Sequence, residues 1–377
     1  MRTKVPTSRQ ALAEDQRRAE RPRLLPGWKN RGMTSSPAPT GDSRPPVSVV
    51  MPVLNEEKHL AASVAGVLAQ DHPMEIILAV GPCRDRTWEI AQQLAAADER
   101  IHVLRNPSGT TPDALNLAIA RARHDIIVRV DAHGELTPGY IDTAVDLLRR
   151  TGAANVGGHM AARGQTPFEK AVAVAYTSPV GLGGGSFHLA TSKEGPADTV
   201  FLGVFRRDAL EAAGGYDGSL LRAQDWDLNY RLRKMGETVW FSPKLQVTYR
   251  PRSTVKALAR QFYRTGQWRR EVMRRNPDTI SARYLAPPAA VLGIAGGTAT
   301  GLAGLLGPRW LRLGFLAPVG YLAAVSGAAA LMRREMDPEV RVRLPLVLSV
   351  MHMAWGAGAL RGLPTAEREH ATDPDAR

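Results

Sequence analysis

The chain is 377 residues long, enough for a full hydrophobic core with additions, and its 49 Lys and Arg against 36 Asp and Glu leave a formal charge of +13. Such a balance asks for an anionic partner, and nucleic acid, anionic lipid and sugar nucleotides all qualify. The lone cysteine, Cys83, excludes an internal disulfide and a cysteine-based zinc site, and it suits a reducing compartment.

Residues 1–45 hold Arg, Pro, Ser and Ala without hydrophobic periodicity. They are expected to form a disordered, solvated tail with no signal peptide, and Met33 inside it offers a later start. Order begins with a predicted strand at residues 47–53, where Pro52 marks the exit. Asn55-Glu56-Glu57 then opens a helix running to about residue 70, with acids well placed in its first turn. Residues 75–80 read as a second strand, followed by a turn at residues 81–87 and a helix over residues 88–97. A short third strand at residues 101–104 leads through a loop to a helix started by Thr111-Pro112. The β-branched run Ile126-Ile127-Val128 is the fourth strand, and the alternation argues for a doubly wound α/β sheet.

Further on, residues 138–150 read as helix and residues 154–160 as strand, with residues 161–198 irregular. Within that stretch, Gly181-Leu182-Gly183-Gly184-Gly185-Ser186 lacks a following Lys and is not a P-loop. It is either a flexible connection or a lid over a site. A strand at residues 199–205, a short helix stopped by Gly214-Gly215, a helix at residues 224–235 and two short strands at 240–241 and 247–249 complete the sheet domain.

Ser253 can cap a long helix through residue 275 that mixes Leu258, Phe262, Tyr263 and Trp268 with seven basic residues, a pattern of helices lying at a membrane interface. Residues 285–307, 313–332 and 344–360 are apolar and almost uncharged; the first two are long enough to cross a bilayer and the third is marginal. Arg309 and Arg312 lie in the first break, and Arg333, Arg334, Arg341 and Arg343 in the second. If the sheet domain is cytoplasmic, the second break, richer in Arg, also falls on the cytoplasmic side, as the positive-inside rule asks, and the expected place is the inner membrane with the sheet domain in the cytoplasm. The basic residues do not gather on one recognition helix, so no nucleic acid is expected. The expected plan is a tail at 1–45, the sheet domain at 46–252, an interfacial region at 253–284, two or three membrane helices at 285–363 and a disordered tail at 364–377.

Two stretches carry chemistry. The strand at Ile126 runs into Arg129-Val130-Asp131-Ala132-His133, at the strand end where ligands bind in this architecture. The oxygen of Asp131 and the nitrogen of His133 can hold Mn²⁺ or Mg²⁺ against a diphosphate, or they are a strand-end cap and a surface His. Gln224-Asp225-Trp226-Asp227 starts a helix, where carboxylates are stabilised as anions. Asp225 is then a helix cap, or a base whose pKa is lifted by burial or by nearby negative charge.

In this order the parts resemble the family 2 glycosyltransferases of the GT-A fold, and within them the succinoglycan glucosyltransferase type, over residues 47–270. Val49-Val50-Met51-Pro52-Val53-Leu54-Asn55-Glu56 is similar to the family's opening strand and nucleotide loop. Arg84-Asp85-Arg86-Thr87 stands at its Ser-x-Asp-x-Thr turn, Asp113-Ala114-Leu115-Asn116 at the helix before the metal strand, and Asp131-Ala132-His133 at Asp-x-Asp. Asp198-Thr199 and Leu202-Gly203 match the acceptor-side strand, Gln224-Asp225 stands where Glu-Asp is usual, and Gln261-x-x-Arg264 resembles Gln-x-x-Arg-Trp with Thr265 for Trp. Val80-Gly81 departs from the Asp pair that reads uracil in the family.

The resemblance implies an inverting hexosyl transfer from a nucleotide sugar, expected to be UDP-linked, to a polyprenyl-linked saccharide in exopolysaccharide or cell-envelope glycan synthesis. It implies Asp225 as the catalytic base and Asp131 with His133 as ligands of Mn²⁺ or Mg²⁺. Donor contacts are implied for Pro52, Asn55, Glu56, Asp85, Asn116 and Asp131, and acceptor or diphosphate contacts for Gln261 and Arg264. The alternatives are a processive polysaccharide synthase, against which Thr265 speaks, and a membrane scaffold that binds sugar nucleotides without turnover.

Overall fold

The computed structural model describes residues 44–183, 192–332, 335–365 and 367. The predicted N-terminal tail up to residue 43, the glycine run from residue 184 onward and residues 368–377 of the C-terminal tail lie outside the described residues. Nine strands are described: β1 (Val47–Val53), β2 (Met74–Val80), β3 (Ile101–Arg105), β4 (Ile126–Arg129), β5 (Glu135–Leu136), β6 (Asn155–Ala162), β7 (Gly195–Pro196), β8 (Phe201–Arg206) and β9 (Val239–Tyr249). They form one sheet in the order β3-β2-β1-β4-β8-β6-β9-β5, with β7 pairing β9.

The first half, β3-β2-β1-β4, is parallel, as βαβ crossovers demand. β8 then runs antiparallel to both β4 and β6, and β9 runs parallel to β6, so the sheet is mixed. β2 is buried along its whole length because both faces are covered. Ile76, Leu78 and Val80 enter the apolar cluster on one face, and Ile77 and Ala79 the cluster on the other.

Several elements differ from the sequence-based expectation, and three of the differences are the largest. The first helix is shorter, Leu60–Leu68, because Asn55 adopts a left-handed φ of 56° and the chain turns before it winds. The stretch expected to be irregular contains the helix Pro167–Tyr176, opened by a capping box between Thr166 and Glu169. The two short strands expected near residues 240 and 248 are one continuous β9.

The long helix Val255–Arg275 does not leave its apolar stripe free. Leu258 and Phe262 pack with Leu344, Val347, Leu348 and Met351 of the helix Pro338–Arg361. The backbones approach closely: a Cβ on Gly266 would meet the Trp355 carbonyl, and one on Gly358 the Tyr263 carbonyl. Two other segments, Ala282–Leu306 and Arg309–Leu331, are long and apolar enough to cross a membrane, each with mean hydropathy 1.6 and only 11% of the apolar window buried. Pro338–Arg361, which contains the third expected span, instead lies between them and the sheet domain.

Candidate active site

β4 carries an arginine into the centre of the site. Arg129 is only 4% exposed, and a charge so placed requires anions around it. It finds two. Nε and Nη2 donate to Asp131 Oδ1 at 3.2 Å each, and Nη1 donates to Asp225 Oδ1. Burial works against the Arg129 charge, but Asp225 and then Asp131 outweigh it and hold the guanidinium well above its ordinary range.

Asp225 arrives from the far side of the cleft, in the first turn of the helix Gln224–Lys234. The residue before that helix, Ala223, is left-handed with φ 63°, a strained setting for a residue with a Cβ. Burial pushes the Asp225 carboxyl above the usual carboxylate range, Arg129 pulls it down, and Asp131 adds to the rise. Its side chain still opens 35% of its surface to the cleft. A carboxylate with raised proton affinity, kept anionic by a guanidinium, is suited to accept a proton.

Tyr216 lies beneath Arg129, with the guanidinium 5.6 Å from the ring centroid. Asn116 fixes that tyrosine from below: its Nδ2 donates to the Tyr216 carbonyl at 2.7 Å, and its Oδ1 accepts from the Tyr216 amide at 2.8 Å. Asn116, expected at the donor, is therefore buried and engaged at both ends by backbone.

The loops after β1 and β2 interlock. Asn55 Oδ1 accepts from the Arg84 amide at 2.8 Å, and the Asn55 amide lies 3.3 Å from Cys83 Sγ. The Glu56 amide donates to Thr87 Oγ1 at 2.7 Å, and Asp85 accepts from the Glu57 and Thr87 amides and from the Thr87 hydroxyl. Asp85 thus ties the two loops together, and those hydrogen bonds hold its carboxyl below the usual range although burial opposes them. Pro52 is half-buried in β1 opposite Ala79 and precedes Asn55 by three residues.

His133 follows Asp131 by two residues and is 55% exposed. Its Nδ1 lies 2.8 Å from Glu56 Oε1, and this hydrogen bond raises the imidazole above its ordinary range against the effect of burial. Among the described residues no group of three or more His, Cys, Asp and Glu side chains is placed to hold a metal. The donor chemistry still fits a divalent cation that a diphosphate helps to ligate. Asp131 keeps one oxygen clear of Arg129, and a carboxylate on Nδ1 is the usual outer partner of an imidazole that ligates through Nε2.

Gln261 and Arg264 are engaged by other side chains. Gln261 donates to the Tyr249 hydroxyl at 2.9 Å and accepts from Arg252 at 3.3 Å, and Arg264 pairs with Glu367 at 2.9 Å. Sequence reasoning missed Arg129 and Tyr216. The signal for Arg129 was a charge inside an otherwise apolar strand, which has to be neutralised by something in the fold.

A cavity of about 1320 Å³ opens beside Asp225. Its lining includes Trp226, Trp268 and Arg269, then Arg283, Tyr284 and Pro287 at the start of the first apolar helix, and Tyr321, Met351 and Trp355.

A mixed sheet whose parallel half ends in Asp131, facing a helix that presents Asp225, defines a glycosyltransferase of the GT-A fold. The mannosyltransferase PcManGT from Pyrobaculum calidifontis, solved in complex with GDP-Man and Mn²⁺, shares the fold at a TM-score of 0.53 and 18% identity, over 87% of this chain and 90% of that one. The pattern for Glycosyl transferase family 2 matches residues 48–212. The succinoglycan biosynthesis protein ExoA of Rhizobium meliloti (strain 1021) is 32% identical over 320 residues, which is 84% of this chain and 94% of the relative. The chain belongs to glycosyl transferase family 2. It is also 24% identical over 329 residues, 84% of its length and 97% of the relative's, to the dolichyl N-acetyl-alpha-D-glucosaminyl phosphate 3-beta-D-2,3-diacetamido-2,3-dideoxy-beta-D-glucuronosyltransferase of Methanococcus voltae.

Proposed function

We propose that this glycosyltransferase moves one hexose, with inversion, from a nucleotide sugar to a polyprenyl-linked saccharide at the cytoplasmic face of the inner membrane, in exopolysaccharide or envelope glycan synthesis. The observation that carries the reading is Asp225: a carboxylate of raised proton affinity that lines a cavity leading to two apolar helices. Two relatives, one a succinoglycan biosynthesis protein and one a transferase named for a dolichyl phosphate sugar, support the pathway and the lipid-linked acceptor.

In this reading the interlocked loops at Asn55, Glu56 and Asp85 receive the nucleoside of a UDP-linked donor. Asp225 takes the proton of the acceptor hydroxyl while that oxygen attacks the anomeric carbon from the face opposite the leaving diphosphate. The C–O bond to the diphosphate breaks, and the electron pair leaves with the nucleotide. Asp131 and His133 would hold a divalent cation, which when bound neutralises charge on the leaving group. Arg129 keeps Asp225 ionised and aimed.

The test is a panel of radiolabelled sugar nucleotides offered to membranes containing the full chain, with polyprenyl-linked acceptors and Mn²⁺ or Mg²⁺. One sugar added per acceptor is expected, and Asp225→Asn is expected to abolish transfer while donor still binds. Full activity in that variant removes the base assignment. A long polymer identifies a processive synthase, and no turnover of any donor leaves only a scaffold.

A further inference from the structure

Arg269 is a half-buried cation with no carboxylate partner in the described residues. The arginines nearest the catalytic cleft and along the same helix are paired with carboxylates: Arg129 with Asp131 and Asp225, and Arg275 with Asp217 and Glu271. Arg269 has none among the described residues, and its buried Nη1 makes no hydrogen bond. Its guanidinium instead lies between two aromatic rings, 4.8 Å from the centroid of Trp226 and 4.4 Å from that of Tyr284. Arg283 sits 4.6 Å from the same Tyr284 ring, so two guanidiniums converge on one aromatic face or edge. Burial lowers the Arg269 pKa, and Arg283 adds to the lowering while Tyr284 resists it. Cation–π contacts offset part of that cost, and an anion would offset the rest.

The position gives that anion a chemical identity. Arg269 and Arg283 both line the cavity that begins at Asp225, and Arg283 stands one residue into the first apolar helix. Beyond it the lining turns apolar, with Pro287, Ala290, Met351 and Trp355. Ala290 follows Arg283 by two turns of helix, roughly 10 Å along its axis. Asp225 adjoins Trp226, the Arg269 guanidinium bridges Trp226 and Tyr284, and Tyr284 stacks on Trp355, so from the catalytic carboxylate outward the cationic pair comes before the apolar wall. A saccharide joined through a phosphate ester to a hydrocarbon chain has the same order. A stacked guanidinium is weakly hydrated and keeps its edge donors free for bidentate bonding to phosphate oxygens.

We propose that Arg269, assisted by Arg283, seats the phosphate ester of a polyprenyl-linked acceptor, with the sugar toward Asp225 and the polyprenyl chain along the apolar wall. This rests on the lipid-linked acceptor of the preceding section and adds the residues that select it.

The experiment uses the full chain in phosphatidylcholine nanodiscs. Intrinsic tryptophan fluorescence reports binding, because Trp226 and Trp268 line the cavity. The probes are a polyprenyl phosphate, the uncharged polyprenol, inorganic phosphate and phosphatidylglycerol. Saturable binding of the polyprenyl phosphate is expected, at least tenfold tighter than polyprenol. Arg269→Gln should weaken polyprenyl phosphate about 10- to 100-fold, the scale of a lost charged hydrogen bond, and leave polyprenol binding in place. Arg269→Lys should recover part of the loss. If Arg269→Gln lowers the thermal midpoint sharply, Arg283→Gln makes the same comparison. Equal affinity of wild type and Arg269→Gln for polyprenyl phosphate overturns the proposal, as does equal binding of polyprenol by the wild type. Competition by phosphatidylglycerol or inorganic phosphate at the same concentration also overturns it, because the site then serves a bulk headgroup or a free ion. Donor hydrolysis by the wild type is measured in parallel. If no sugar nucleotide is turned over while polyprenyl phosphate binding still depends on Arg269, the transferase reading fails and the phosphate seat stands.

Discussion

Arg129 and Asp225, 96 residues apart in the chain, meet in one ion pair at the floor of the cleft. The pair sets the protonation of the candidate base from two sides. Burial and Asp131 raise the Asp225 pKa, and Arg129 lowers it. Replacing Arg129 with Met removes the lowering influence alone, so Asp225 should take its proton at higher pH. The acidic limb of the pH profile of kcat/KM is then expected to move upward, with at least a tenfold loss at neutral pH. The fold should also weaken, toward the lower end of the roughly 3–5 kcal/mol for breaking a buried ion pair, because both carboxylates keep contact with the cleft. An acidic limb that stays in place would show that Arg129 does not tune the base.

Asn116 acts on the same centre at one remove. Its side-chain amide clamps the backbone of Tyr216, whose ring supports Arg129. Asn116→Ala leaves a buried amide and carbonyl of Tyr216 without partners, a cost of about 2–4 kcal/mol. Activity should fall through kcat, with the donor KM changing little, since both ends of the Asn116 side chain are taken by the Tyr216 backbone. Asn116→Asp keeps the bond from the Tyr216 amide and loses the one to its carbonyl, so it should fall between the two. A loss confined to donor KM would instead mean that Asn116 contacts the nucleotide.

The parallel half of the sheet was legible because its strands are apolar on both faces. Ile76, Ile77 and Leu78 can satisfy no other setting. Asp131 and Asp225 were legible as polar breaks at a strand end and a helix start. What joins them was not. The Arg129–Asp225 contact spans 96 residues, and no local pattern encodes which distant carboxylate an arginine will meet. The helix Pro167–Tyr176 was hidden differently: Thr166-Pro167-Phe168-Glu169 is a capping signature, but the glycines that follow in the chain suggested loop. Gln261 and Arg264 read as site residues through resemblance, and the fold engages them with Tyr249 and Glu367.

Glu75 ties the start of β2 to its neighbours and should contribute to the acid stability of the sheet domain. It is 1% exposed, accepts from Ser48 at 2.6 Å and takes Arg123 on both oxygens. Burial opposes its charge, but the bonds from Ser48 and Arg123 win and hold the carboxyl below its ordinary range. A depressed pKa of the folded state contributes stability above the unfolded pKa and loses it as pH falls through the folded one. Glu75→Gln should therefore cost about 2 kcal/mol at neutral pH. The gap from wild type should close on acidification below the usual carboxylate range. Urea titrations at several pH values measure it, and a gap independent of pH would contradict the charge-based account.

His133 and Glu56 form the remaining test of the cation site. The Glu56 carboxylate raises the His133 pKa, so the imidazole keeps its proton to a higher pH than usual. Only the neutral ring ligates a metal, and a proton therefore competes with the cation over that raised range. The Mn²⁺ concentration for half-maximal transfer should rise as pH falls through it. Glu56→Gln removes the main raising influence, so the crossover should move to lower pH. The same change frees the ring to turn, and the Mn²⁺ requirement above the crossover should increase about tenfold, the lower end of what an outer partner contributes. His133→Ala should raise the requirement further and flatten its dependence on pH. An unchanged Mn²⁺ requirement in His133→Ala would remove the imidazole from the ligand set and leave Asp131 as the protein's only donor there.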